Sequence, residues 1–152
     1  MKFLEVLKSR NGKILDIDLL EPLVENVCQR FKIQLLYLFG SYATKNISKL
    51  SDLDIAFFAS DDIKLEKWGQ FLGELQDIFE EEAIDLVDLK NAPLPLIHRI
   101  LRDGKCLYAI NLESRINFET RSETFYQDTK YLRMEYFDAL LRRIENGTFG
   151  CR

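Results

Sequence analysis

Ile33-Gln34-Leu35-Leu36-Tyr37-Leu38-Phe39-Gly40-Ser41, ten further residues, then Asp52-Leu53-Asp54-Ile55-Ala56-Phe57-Phe58 is the stretch that decides this chain. The first run is almost continuously apolar, which predicts a strand over 32–39 buried on both faces. Gly40-Ser41 breaks it. The second run predicts a strand over 52–59. Side chains alternate along a strand, so Asp52 and Asp54 point to the same side. Aspartate is depleted in strands. Two carboxylates at the mouth of an apolar strand repel each other and resist desolvation. A divalent cation offsets both costs, and Mg²⁺ is normally held by one or two carboxylates together with substrate phosphates. The plainer alternative, a Ser51-Asp52 turn with Asp54 on an exposed edge, leaves the alternation unexplained.

Gly40 and Ser41 sit where the first strand leaves the core. Glycine lets backbone N–H groups approach a phosphate closely, and a serine hydroxyl can donate to a phosphate oxygen. Alone the dipeptide reads as turn punctuation; the carboxylates that follow give it weight. A third carboxylate lies in the next apolar run, Ala83-Ile84-Asp85-Leu86-Val87-Asp88-Leu89. Beside a metal-bound pair such a group can ligate metal and take a proton from an attacking hydroxyl. Asp85 and Asp88 fall on opposite faces of a strand. Asp88 is nearer the strand end and more easily solvated, so Asp85 is the candidate.

Around these runs the pattern is largely helical. Residues 3–9 read as a short helix ended by Asn11-Gly12. Leu20, Leu23, Val24, Val27, Cys28 and Phe31 recur at helical spacing behind Asp18, a candidate cap. Residues 42–51 read as a helical turn and loop. Leu65, Trp68, Phe71, Leu72, Leu75, Ile78 and Phe79 mark an amphipathic helix whose polar end, Glu80-Glu81-Glu82, reads as solvated. Asn91 and Pro93 suit the cap and first turn of a helix over 93–103, stopped by Gly104. A short strand at 106–109 follows. One long helical stretch then runs from about 113 to 145, striped by Phe118, Phe125, Tyr126, Leu132, Phe137, Leu140, Leu141 and Ile144. His98, the only histidine, reads as a structural or surface residue.

The chain has 152 residues, 47% hydrophobic and 12% aromatic, which predicts one globular domain over 1–152. Within it, a core of about 18–110 precedes a C-terminal helical region of about 113–146. A net charge of -4 argues against direct nucleic-acid binding, which needs a basic face. Cys28, Cys106 and Cys151 are odd in number and widely spaced. They favour reduced thiols in a cytoplasmic protein over a disulfide framework or zinc site. No apolar run reaches the ~18 residues of a membrane span.

Taken together, Gly40-Ser41, the ten-residue gap, Asp52-x-Asp54 and Asp85 on a later strand resemble the nucleotidyltransferase superfamily related to DNA polymerase beta. The short length, and the order Asn-Ala-Pro, helix, Gly-Lys-Cys-Leu-Tyr after Asp85, look like its minimal nucleotidyltransferases. That group includes the MntA-type antitoxins paired with HEPN-domain RNase toxins. The resemblance implies an α+β (α/β) fold, a small mixed sheet flanked by helices. It implies ATP as substrate with two Mg²⁺ ions at one sheet edge. Gly40 and Ser41 would hold the triphosphate, and Asp52 and Asp54 would ligate both metals. Asp85 would ligate one and activate the acceptor hydroxyl, a tyrosine of a cognate toxin that AMP transfer would silence. Many relatives read Gly-Ser-x-Ala-Arg-Gly, whereas this chain has Thr44 at the arginine position and Lys45 at the glycine position. Lys45 is the candidate for the missing charge. Two other functions stay open on sequence: transfer to a small cationic acceptor such as an aminoglycoside, and an antitoxin acting by contact alone.

Overall fold

A computed structural model describes residues 6–8, 14–44 and 52–147. In chain order the elements are β1 (Val6–Lys8), β2 (Ile14–Asp16), α1 (Ile17–Arg30), β3 (Ile33–Phe39), α2 (Gly40–Ala43) and β4 (Leu53–Ala59). They continue with α3 (Leu65–Phe79), β5 (Ile84–Asp88), α4 (Leu94–Asp103), β6 (Lys105–Ala109), α5 (Leu112–Asp128) and α6 (Lys130–Glu145).

The two apolar runs become the centre of a four-stranded mixed sheet, ordered β5-β4-β3-β6. β3 pairs antiparallel with β4 and β6, and β4 pairs parallel with β5. A parallel pair needs a crossover, which α3 supplies. Both sheet faces are covered, which is why β3 carries so little polar sequence. On one face Leu36, Leu38, Leu53, Ile55 and Phe57 pack under α1 and α3, whose Val24, Val27, Cys28, Phe71, Leu75 and Phe79 are buried. Phe57 meets Trp68 and Phe71 edge-on, with ring centroids 5.2 and 5.6 Å apart. On the other face Leu35, Tyr37, Phe39 and Ala56 pack under α4 through Ile97 and Ile100. α5 reaches this face through Phe118, whose ring lies 4.6 Å from Phe58.

Several local expectations are corrected. Val6–Lys8 is a strand paired with Ile14–Asp16, not part of a helix over 3–9; the rest of that segment lies outside the described residues. Pairing with Ile14–Asp16 gives the backbone groups of Val6–Lys8 partners across the two strands. α1 begins at Ile17, and Asp16 caps it by accepting from the backbone N–H of Asp18 at 3.0 Å. At α4 no side chain caps the helix; Asn91 instead donates to Asp88 at 2.7 Å. The long C-terminal helix is two helices broken at Thr129. The Thr129 hydroxyl bonds back to the Phe125 carbonyl at 2.8 Å beside the Thr129 backbone N–H, a second donor of the kind that bends helices. No residue of α5 or α6 is fully buried. Phe125, Leu132, Phe137, Leu141 and Ile144 of the expected stripe are exposed.

Candidate functional site

The site forms where three strands end together. The register sets Phe39 opposite Asp54 and Asp54 opposite Asp85. Partners across a sheet project to the same face. Asp54 and Asp85 therefore share the α4 side, along with Ala56 and Val87. Asp52 precedes β4 and is exposed, Asp54 is half-buried and Asp85 is exposed. Asp88 takes the other role available to it. It accepts from the Lys90 backbone N–H at 2.9 Å and from Asn91, closing the turn after β5.

Gly40 starts α2 with φ +70°, a conformation that L side chains rarely adopt. A Cβ at this position would stand 1.9 Å from the Asp54 Oδ2 atom. The glycine is thus required twice, by its backbone angle and by the carboxylate lying against it. Ser41 follows at the strand mouth. Lys45 lies outside the described residues.

Burial holds the Asp54 carboxyl above the usual carboxylate range, and the charges of Asp85 and then Asp52 push it further. Arg99 on α4 partly opposes them. The three carboxylates are thus close enough to repel. Yet among the described residues no set of three His, Cys, Asp or Glu side chains closes into a metal cage. An all-oxygen acidic pair, open on one side, fits a hard cation that keeps phosphate and water ligands rather than one enclosed by protein.

Two supporting residues escape a reading of the sequence. Glu81 is the one buried charged residue among those described, 9% exposed. Its carboxylate accepts from the Tyr42 hydroxyl at 3.5 Å and from the Ala83 backbone N–H at 3.2 Å. The Ala83 carbonyl in turn accepts from the Leu53 N–H at 2.9 Å. This chain of bonds joins α2, the start of β4 and the entry to β5, the three pieces that carry Ser41, Asp54 and Asp85. Glu81 is therefore not part of a solvated helix end. The sequence signal is faint: three successive residues leaving a helix cannot all face outward. Arg99 is the second, legible only once α4 is seen to cover the acidic face.

His98 is structural. Its ring stacks on Tyr126 at 3.8 Å and its Nδ1 lies 2.8 Å from Glu123, tying α4 to α5. A cavity of about 470 Å³ opens at the far end of the sheet, near Lys32, Gln34, Asp61 and Tyr108, and includes none of Asp52, Asp54 and Asp85. Cys28 and Cys106 are unpaired thiols. Among the described residues no helix is long and apolar enough to cross a membrane.

Residues 22–113 match the family described as polymerase beta, nucleotidyltransferase. A protein adenylyltransferase MntA of Shewanella oneidensis is 30% identical over 111 residues, 72% of this chain and 78% of that protein. One from Aphanizomenon flos-aquae is 30% identical over 127 residues, covering 73% and 82%. Among solved structures, a toxin–antitoxin crystal structure with AMP-PNP is similar with a TM-score of 0.67 and 27% identity, over 80% of this chain and 98% of that one. A tri-AMPylated Shewanella oneidensis HEPN toxin in complex with MNT antitoxin gives 0.64 and 26%, over 82% and 98%. With strands, glycine and carboxylates falling inside the matched span, the chain belongs to the polymerase beta-type nucleotidyltransferases.

Proposed function

We propose that this protein is a protein adenylyltransferase antitoxin, transferring AMP from ATP to a tyrosine hydroxyl of a cognate HEPN-domain RNase toxin. The observation that carries the reading is the register of Asp54 against Asp85 with Gly40 packed on Asp54, in a chain similar along most of its length to MntA adenylyltransferases. In this reading Gly40 and Ser41 hold the triphosphate, with Lys45 supplying charge. Asp52 and Asp54 would hold two Mg²⁺ ions, and Asp85 would hold one of them.

When bound, the ions neutralise the phosphate oxygens and the crowded carboxylates. Asp85, exposed at the mouth of β5, takes the proton of the acceptor hydroxyl. The acceptor oxygen bonds to the α-phosphorus, the bond to the bridging oxygen breaks, and diphosphate leaves with the electron pair. The product carries a bulky anion near an RNA-cleaving site and excludes substrate by size and like charge. The unpaired thiols Cys28 and Cys106 are in keeping with a cytoplasmic setting. No membrane or direct nucleic-acid contact enters the reading.

The test is the intact mass of the cognate HEPN protein after incubation with this protein, ATP and Mg²⁺. One or more AMP units should be gained, and the gain should vanish with Asp52→Asn. A stable complex without mass gain would mean inhibition by contact. Neither gain nor complex would redirect the search to small cationic acceptors.

A further inference from the structure

The charges at the mouth of β4 do not balance. Asp52, Asp54 and Asp85 are acidic, and the segment Gly40–Thr44 carries no cation. A nucleoside triphosphate brings several more negative charges to the same place. α4 lies beside it. This helix covers the sheet face from which Asp54 and Asp85 project, and it packs against α2. Its end is pressed onto the end of β3: a Cβ on Gly104 would stand 2.9 Å from the Leu38 carbonyl oxygen.

The sides of α4 are allotted by its contacts. Ile97 and Ile100 are buried against the sheet. His98 turns to α5, where Glu123 and Tyr126 hold it. Arg99 is exposed on the remaining side, and among the described residues no hydrogen bond or ion pair engages it. Its charge lies within electrostatic range of two carboxylates, Asp54 at the mouth of β4 and Asp103 one turn along α4.

We propose that Arg99 is a nucleotide-binding residue whose guanidinium holds the triphosphate from the α4 side of the site. The inference rests on the adenylyltransferase reading above. Guanidinium suits the task because its planar donors match phosphate oxygens in pairs and it stays charged at every working pH. An arginine on a helix beside the cradle supplies charge that Gly40 and Ser41 cannot, since their own groups are neutral donors.

The experiment is calorimetric binding of a non-hydrolysable ATP analogue with Mg²⁺ to the full chain, at two salt concentrations. Wild type, Arg99→Ala, Arg99→Lys and Lys45→Ala are compared, with thermal midpoints measured alongside. Arg99→Ala should weaken binding by roughly tenfold to a hundredfold, the range of a lost charge-assisted bond. It should also flatten the salt dependence, with Arg99→Lys falling between. Because Arg99 is exposed, its midpoint should match wild type. Unchanged affinity in Arg99→Ala overturns the inference, and a loss confined to Lys45→Ala would assign the charge there instead. A wild type that binds no analogue overturns the adenylyltransferase reading itself and this inference with it.

Discussion

At the scale of single residues, Gly40 and Asp54 are one unit. Gly40→Ala places a methyl 1.9 Å from the Asp54 carboxylate and forces alanine to φ +70°. The backbone penalty alone is about 1–2 kcal/mol. AMP transfer should be lost, and the thermal midpoint should fall by several degrees. Gly69→Ala is the control: nothing stands within 4 Å of its Cβ, and it lies within α3. It should stabilise by about 0.5–1 kcal/mol and leave transfer intact. Asp54→Asn separates chemistry from folding. A carboxyl whose folded pKa is raised weakens the fold once pH exceeds its ordinary value. Removing it should abolish transfer while the midpoint at pH 7 stays level or rises; full activity at wild-type stability would sink the site. Cys28 tests the core. Burial pushes its thiol up to about 12. Alkylation at pH 8.5, followed by peptide mass mapping, should spare Cys28 until denaturant is added. Unfolded thiols ionise near pH 8.5, so stability should fall between about 8.5 and 12, by about 1.4 kcal/mol per pH unit from this group. Labelling of the folded chain at Cys28 would show that α1 does not seal the core.

At the scale of elements, Glu81 is the tie between the Gly40-Ser41 turn and the carboxylate strands. Glu81→Ala takes from the Ala83 N–H its carboxylate acceptor and removes one contact of the Tyr42 hydroxyl, a cost of about 1–3 kcal/mol. Transfer should drop by more than the unfolded fraction explains, and Glu81→Gln, which keeps an oxygen acceptor, should recover most of it. Equal losses of stability and activity in both variants would reduce Glu81 to ordinary core support. This tie also marks where sequence reading ran out. What strand alternation, a strict two-residue period, makes legible is placement: Asp52 and Asp54 on one side of their strand, Asp85 and Asp88 on opposite faces of theirs. The register that sets Asp54 opposite Asp85 agrees with the choice of Asp85 over Asp88. Glu81 looked like the end of a charge run because its partners lie 39 residues back, at Tyr42, and across a turn, at Ala83. The cap moved from Asp18 to Asp16 because both are acidic and only backbone geometry separates them. The break at Thr129 was hidden because one threonine bonding to its own helix leaves the apolar spacing on either side intact.

At the scale of the whole molecule, stability and site are concentrated in the sheet and the helices that cover it. α6 adds no buried residue. Four of its apolar side chains, Tyr131, Leu132, Tyr136 and Phe137, are each more than 60% exposed. Its described side-chain ties to α5 centre on Arg133, which lies 3.7 Å over the Tyr126 ring and donates to Thr129 at 2.5 Å. A cation–π contact of this kind is worth about 0.5–2 kcal/mol. The stack of His98 on Tyr126 belongs to α4 and α5 and does not need α6. α5, by contrast, is anchored: the buried Tyr37 donates to Glu119 at 2.8 Å, Arg115 donates to the same oxygen, and Phe118 packs on Phe58. A chain ended after Thr129 should therefore unfold cooperatively, with a midpoint lowered by no more than about 2–8 °C, the shift expected for so small a loss in a domain of this size. It should still bind the ATP analogue with unchanged affinity, because Gly40, Asp52, Asp54, Asp85 and Arg99 all precede the cut. The same cut placed after Asn111 would remove the Tyr37–Glu119 bond and the Phe118 contact, and should destroy cooperative unfolding. If the truncation after Thr129 itself abolished cooperativity, the folded unit would have to include α6, and the division of the chain at Thr129 into an anchored core and an exposed last helix would be wrong.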